Sequence, residues 1–294
     1  MFTAIRSWIS RLGAPKRASA SAPSLRRNTD TLLPFDLVKE KIHIRGWRYL
    51  GFREVEIEKI VGSVDRYQDF SRAFLPKQAD QGRLRRIKRA MEREEALPPV
   101  RLYKVGEIYF VEDGHHRVAA ARERGAKFID AEVTEFIPNV PLEPGITDRE
   151  LLIKAEYSEF LRQTKLQELR PGARIEFSDL GKYRVLLEHI EVHRFFRAKE
   201  EGREIPFQEA VVSWYDNVYK PLVEAFRKTR ILDFFPGRTE ADLYLWVSEH
   251  LHQLRRWLDP GIGPKEAVED FVDRLEALIR EAALTNPAPF RGAS

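Results

Sequence analysis

The hydrophobic and polar positions of residues 80–136 change period several times, and each change predicts an element. Leu84, Ile87 and Met91 recur at helical spacing among basic residues. Further along, two alternating runs flank Gly106, an arrangement typical of a β-hairpin. The predicted order is helix, strand, strand, helix and strand, over residues 80–95, 100–104, 108–111, 118–124 and 128–136. This order indicates a compact α+β unit.

A segment with three prolines and a glycine, residues 138–147, has the composition of a linker. Upstream of the α+β unit, residues 34–62 are expected to mix helix and strand, and residues 65–75 to be partly helical. Downstream of the linker, helical spacing predominates. It predicts helices over residues 148–169, 179–200, 207–230, 239–258 and 264–284.

Two residues of the helical half carry local predictions. Pro221 lacks a backbone N–H and should kink or split its helix. Thr239 has the side chain of an N-cap, with Asp242 three residues later. The expected organisation is a small mixed α+β domain followed by an all-α domain. Its segments are a basic tail, the mixed domain, the linker, the helical domain and a second tail, over residues 1–30, 31–137, 138–147, 148–286 and 287–294.

Composition narrows the class of protein. The 294 residues are 43% hydrophobic and 33% charged, which is typical of a globular chain. No run of 18 apolar residues is present, so no transmembrane helix is predicted. The absence of cysteine excludes disulfides, cysteine nucleophiles and thiolate metal sites. Without a clear signal peptide, a cytoplasmic location is expected.

The positive charge is concentrated at the beginning of the chain. Residues 1–30 hold six basic residues and one acid, and the remaining 44 basic and 45 acidic residues give a net charge of −1. Within residues 2–12, apolar groups recur at helical spacing around Arg6 and Arg11, a pattern that favours contact with an anionic membrane surface or a partner. The composition also suits a transit peptide, a disordered tail, or a translation start further downstream.

The strongest chemical signal is the string Glu112-Asp113-Gly114-His115-His116-Arg117, where a strand ends and a helix begins. The first N–H groups of a helix have no acceptor within it, and the helix dipole is positive there, so such an end binds phosphate. A glycine lets a ligand approach the backbone. The arginine supplies a fork of donors and the histidines supply further donors.

This string resembles the ParB/sulfiredoxin superfamily, whose members share a Gly-x-x-Arg element at the start of a helix after a hairpin. His115 stands where sulfiredoxins have their catalytic cysteine, which rules out that chemistry here. The resemblance implies binding of a nucleoside triphosphate, ATP or CTP, with Mg²⁺. The residues that it assigns to the nucleotide are Gly114, His115, His116 and Arg117, and more loosely Ser63 and Arg66.

Two acids of the string are candidate catalytic residues. Glu112 or Asp113 could bind Mg²⁺ or act as a general base on a hydroxyl group. The alternatives are an exposed strand-end charge for Glu112 and a turn-stabilising role for Asp113. In the helical half, His189 and His193 share a helix face, but no spacing fixes a third ligand, so no metal site is predicted.

Three functions stay open. The first is a regulatory nucleotide-binding protein of ParB type, with the helical domain as a partner or homodimer interface. The second is an ATP- or ADP-dependent small-molecule kinase or a nucleotide hydrolase, because some superfamily members phosphorylate free serine and carry Asp-Gly-His before the arginine. The third is a DNA-associated transcription or partition factor. The near-neutral body and the lack of a clear helix-turn-helix pattern disfavour this third function.

The part of the chain beyond the linker also carries a resemblance. Residues 148–258 resemble an uncharacterised bacterial domain that often follows a ParB-like module, which implies a bacterial protein and supports the division into two domains. No activity follows from that likeness.

Overall fold

The computed structural model describes residues 31–77, 81–93, 97–229 and 231–257, with Gly261, Asp270 and Asp273. Contacts divide the chain into two compact units, with the boundary between Arg162 and Gln163. Both predicted tails and the proposed membrane contact of residues 2–12 lie outside the described residues, as does nearly all of the predicted 264–284 helix.

The first unit is built on a six-stranded mixed sheet, with strand order β1-β3-β5-β4-β6-β2. Its strands are β1 Leu33–Pro34, β2 Ile44–Glu56, β3 Ile60–Ser63, β4 Val100–Val105, β5 Ile108–Asp113 and β6 Phe128–Pro138. Its helices are α1 Phe35–Lys41, α2 Gln81–Glu92, α3 His115–Glu123 and α4 Asp148–Thr164, the last of which runs two residues past the boundary.

Strand β5 lies inside the sheet, parallel to β3 and antiparallel to β4. Residues 108–111 are all buried. They form an unbroken apolar run, as expected for a strand that is covered on both faces of the sheet. On one face, Leu102, Val111 and Val133 pack with Val118 and Ala120 of α3. Because β3 and β5 are parallel neighbours, their carboxyl ends lie at the same edge of the sheet, and α3 begins there.

The opposite face of the sheet is covered in part by α1. Phe35 lies 5.1 Å from Tyr103, 5.5 Å from Phe110 and 5.1 Å from Phe136, measured between ring centroids. Offset and edge-to-face contacts of this kind stabilise beyond their buried area. Strand β2 pairs only with β6 in the described sheet and forms its outer edge.

The predicted hairpin, its flanking helices and the final strand are confirmed, although α3 begins at His115 rather than at residue 118. The prediction of helix over residues 65–75 is wrong. Phe70 and Phe74 are spaced like a helix face, yet turns carry both rings into the core, and Phe74 has a φ of 61°. The segment 138–147 belongs to the first unit, since Val140 and Leu142 are buried there.

The second unit contains helices and, among its described residues, no strand. Its helices are α5 Leu166–Leu169, α6 Lys182–Glu201, α7 Phe207–Trp214, α8 Lys220–Thr229 and α9 Glu240–Trp257. The predicted α+β class, with a helical C-terminal part, is confirmed. A π-helix over Tyr215–Tyr219 joins α7 to α8 just before Pro221, so the regular α-helix is interrupted next to the proline that is predicted to kink or split it. None of the helices in the described part of the chain has the length and apolar character of a membrane span.

Candidate functional site

The candidate site is the turn between β5 and α3. Gly114 is the N-cap of α3 and adopts the left-handed conformation, with φ 100° and ψ 21°. A Cβ atom there would lie 2.6 Å from Val100 Cγ1 and 3.0 Å from two guanidinium nitrogens of Arg117. Both the backbone conformation and the close packing therefore require glycine at this position.

The first turn of α3 has no side-chain cap and no acidic residue. Helices α4 and α9 differ, because each begins with reciprocal side-chain to backbone bonds. Glu150 accepts from the Thr147 N–H at 2.7 Å, and Asp242 accepts from the Thr239 N–H at 2.9 Å. The N-terminus of α3 is therefore the positive end of the helix dipole, and no acidic side chain in the first turn neutralises it.

Arg117 spans the base of the turn. Its Nη1 donates to the carbonyl of Pro98 and, at 2.9 Å, to that of Pro99. Its Nη2 donates to Asp113 Oδ2 at 2.7 Å, and only 12% of the Arg117 side chain is exposed. The guanidinium therefore ties the loop before β4 to the start of α3, so its first role in the structure is to position this turn.

Ser63 and His115 form a buried contact between β3 and α3. Ser63 Oγ lies 2.7 Å from His115 Nε2 and accepts the N–H of Arg66 at 2.9 Å. The His115 ring stacks on Phe70 at 5.5 Å. Burial lowers the pKa of His115 to about 4, so the imidazole is neutral at pH 7. The His115 side chain thus faces inward, and only its backbone belongs to the open helix end.

His116 and Arg66 also pack around Phe70. His116 is 3% exposed, and its ring meets Phe70 edge to face at 5.3 Å. The Arg66 guanidinium lies 5.5 Å from the Phe70 centroid and donates to Asp69 at 2.8 Å. All of the predicted nucleotide-contacting residues therefore meet at one end of α3, but the histidine side chains act there as packing groups.

The two candidate acids diverge. Successive residues of a strand point to opposite faces of the sheet. Glu112 accepts the hydroxyl of Tyr103 at 2.8 Å, on the face that α1 covers in part. Asp113 points to the α3 side and pairs with Arg117, with half of its side chain exposed. One ligand at the turn could reach Asp113 directly, whereas Glu112 is directed away from it.

An open groove of about 550 Å³ borders the turn through Arg117. Most of the residues that line it are apolar, and its charged lining residues are Arg117, Arg124 and Asp130. The residues that define it include Met91, Leu97, Pro99, Ala121 and Arg124. Cavities of this size accommodate small-molecule ligands. The sequence does not predict this groove, because its lining residues come from separate segments of the chain.

In the helical half, His189 and His252 line a further open groove of about 470 Å³. His189 Nδ1 lies 3.2 Å from the Tyr244 hydroxyl, and His193 Nε2 lies 3.0 Å from Ser213 Oγ. In the described part of the chain, no three His, Cys, Asp or Glu residues are grouped so that they could hold a metal ion.

Comparison with known proteins gives only loose structural similarity. No protein-family model and no curated protein matches the chain. Among solved structures, sulfiredoxin from Arabidopsis thaliana is 17% identical, with a TM-score of 0.24 over 29% of this chain and 86% of its own. C-terminally truncated ParB from Caulobacter crescentus, complexed with CTP-gamma-S, is 16% identical, with a TM-score of 0.23 over 74% and 99%. A Pnob8-like ParB N-domain is 12% identical, with a TM-score of 0.23 over 84% and 88%. Superpositions this loose carry no argument about function.

Proposed function

We propose that this chain binds the phosphate groups of a nucleoside triphosphate, ATP or CTP with Mg²⁺, at the turn Gly114–Arg117. The observation that carries the proposal is the α3 terminus. It opens on a left-handed glycine, lacks a side-chain cap, and follows the carboxyl end of a strand inside the sheet. Backbone N–H groups and the helix dipole bind phosphate in this arrangement.

The neighbouring groups support the same proposal. Arg117 and Arg66 supply positive charge near the turn, and the groove beside Arg117 has room for a base and ribose. Mg²⁺ would arrive with the triphosphate, and Asp113 is the acid placed to meet it by exchanging its bond to Arg117. The proposed role is regulatory, with the helical unit making the contacts to a partner or a second copy.

The test is thermal unfolding of the wild type with ATP, ADP, CTP or GTP, each with Mg²⁺. A ligand that binds only the native state, at a hundred times its dissociation constant, should add roughly 2.7 kcal/mol of stability. The shift should be selective for one base and should be lost in Arg117→Ala and reduced in Arg66→Ala. Arg184→Ala, an exposed arginine of α6, is the control and should keep the full shift.

Arg117→Ala will also loosen the turn, so the ligand-induced shift is compared with the same variant without ligand. No shift with any nucleotide would overturn the proposal. Measuring inorganic phosphate and nucleoside diphosphate in the same samples tests turnover. Turnover that Asp113→Asn abolishes and Glu112→Gln preserves would identify a hydrolase if phosphate is released, or a kinase if diphosphate forms only when a hydroxyl acceptor is added, instead of a regulatory site.

A further inference from the structure

Edge strand β2 carries an exposed row of aromatic side chains, which we call the aromatic face. Trp47, Tyr49 and Phe52 are 69%, 55% and 70% exposed. They pair with Phe136, Thr134 and Glu132 of β6, and the extra residue Leu50 restores their common orientation beyond the bulge. Three large exposed aromatic groups on one strand indicate a surface that another chain segment covers.

Acidic groups border the aromatic face. Glu132 accepts the Tyr49 hydroxyl at 2.9 Å, and Glu54 and Asp130 are directly opposite each other two pairs beyond Phe52. The basic residue that β4 contributes to this side is Arg101, which lies 3.7 Å from Glu112. The surface is therefore apolar in its centre and has an acidic rim at its Phe52 end, so its occupant should be apolar and basic.

The beginning of this same chain has that chemistry. Residues 2–12 carry five large apolar residues at helical spacing, with Arg6 and Arg11 and no acid. We propose that residues 2–12 dock on the aromatic face of their own chain. Their apolar residues would cover Trp47 and Phe52, and their arginines would meet the acidic rim.

The covalent connection permits this docking. Leu33 lies on β1, at the edge of the sheet opposite β2, five strand spacings or about 24 Å away. The intervening residues 13–30 can span up to about 60 Å when extended, at ~3.3 Å per residue. A tethered segment has an effective concentration in the millimolar range, so weak individual contacts suffice for occupancy.

The cysteine-free sequence allows a direct test on the full-length protein. Ser10→Cys is combined with Thr134→Cys, the cross-strand neighbour of Tyr49, and the pair is treated with a short bismaleimide. Ser10→Cys with Arg86→Cys, an exposed position on α2, is the control for random encounter. We expect several-fold more intramolecular cross-link in the first pair, identified by mass spectrometry of the digested monomer.

Substitutions on each side of the contact complete the test. Trp8→Ser and Phe52→Ser should each reduce the cross-link to the control level. Phe195→Ser removes an aromatic group that is 65% exposed on α6 and should leave the yield unchanged. A yield equal to the Arg86→Cys control overturns the proposal. A cross-link that joins the Thr134→Cys positions of two chains, or binding of residues 2–12 to anionic vesicles without any cross-link in solution, overturns it in favour of a second copy or a membrane.

Discussion

At the scale of single residues, two positions decide the candidate site. Position 114 requires glycine because its backbone is left-handed and Val100 leaves no space for a Cβ atom. The ring of His115 is held in place by its contacts with Ser63 and Phe70. Both lie in the string that the sequence singles out: the glycine forms the left-handed turn, and the histidine packs beneath it. The histidine is next to glycine in sequence, but its ring is directed into the core.

Gly114→Ala should destabilise the first unit by roughly 2–4 kcal/mol, because left-handed strain adds to a collision with Val100. Gly125→Ala is the matched control: its φ is 71°, but a Cβ meets no atom within 4 Å, so only about 1–2 kcal/mol of strain is expected. Urea unfolding compares the two. An equal loss of stability in the two variants would contradict this prediction, because it would show that Val100 and Arg117 move aside at no energetic cost.

His115 should make stability depend on pH. Its pKa is about 4 in the folded chain and near 6.5 when unfolded, so the unfolded state binds the proton first. The stabilisation is complete above pH 6.5 and is lost as pH falls from 6.5 to 4, by roughly 3 kcal/mol. Unfolding midpoints between pH 4.5 and 7.5 should fall less steeply for His115→Gln. The same slope in both proteins would contradict a buried neutral imidazole.

At the scale of elements, helix ends and strand junctions show which contacts are local. Thr239 and Asp242 form the predicted N-cap of α9 because both partners lie within four residues. At the junction of β1, β3 and β5, by contrast, the residues in contact are far apart in the sequence. There, Gly62 lies beneath the Phe110 ring and against the Leu33 carbonyl, and no pattern in the sequence indicates it.

Gly62→Ala should therefore destabilise the sheet by roughly 1–3 kcal/mol or more, since a methyl group would overlap the ring and the carbonyl. The backbone of Gly62 is not left-handed, so the effect reports packing alone. Gly46 lies on β2, and a Cβ atom added there would have no neighbouring atom within 4 Å. Gly46→Ala should therefore change stability by less than about 1 kcal/mol. Denaturant midpoints measure both. A neutral Gly62→Ala would show that β1 shifts freely.

At the scale of the whole molecule, the chain has two compact units. The second unit is centred on Trp214, whose Nε1 donates to the Tyr244 hydroxyl at 3.0 Å. Burial raises the pKa of Tyr244 to about 12, and the ring packs on Trp214 and Tyr219. Each unit should therefore respond to its own core substitutions.

Tyr244→Phe should cost the second unit roughly 1–3 kcal/mol, because the buried Trp214 N–H loses its acceptor. Hydrogen exchange should accelerate in residues 163–257 and stay unchanged in the sheet. Tyr49→Phe removes an exposed hydroxyl and should change stability by less than about 0.5 kcal/mol. Faster exchange in β4 and β5 of Tyr244→Phe would show that the two units unfold together.

The sequence by itself determined the elements around the turn, the α+β class and the N-cap of α9, because periodicity, turns and N-caps depend on residues within a few positions of each other. Only the tertiary structure decided what the side chains of the site do. His115 finds its partner 52 residues away in Ser63, and Arg117 binds a carbonyl 19 residues upstream at Pro98. A spacing rule cannot choose among distant partners, because that choice depends on which strands become neighbours and which faces become buried.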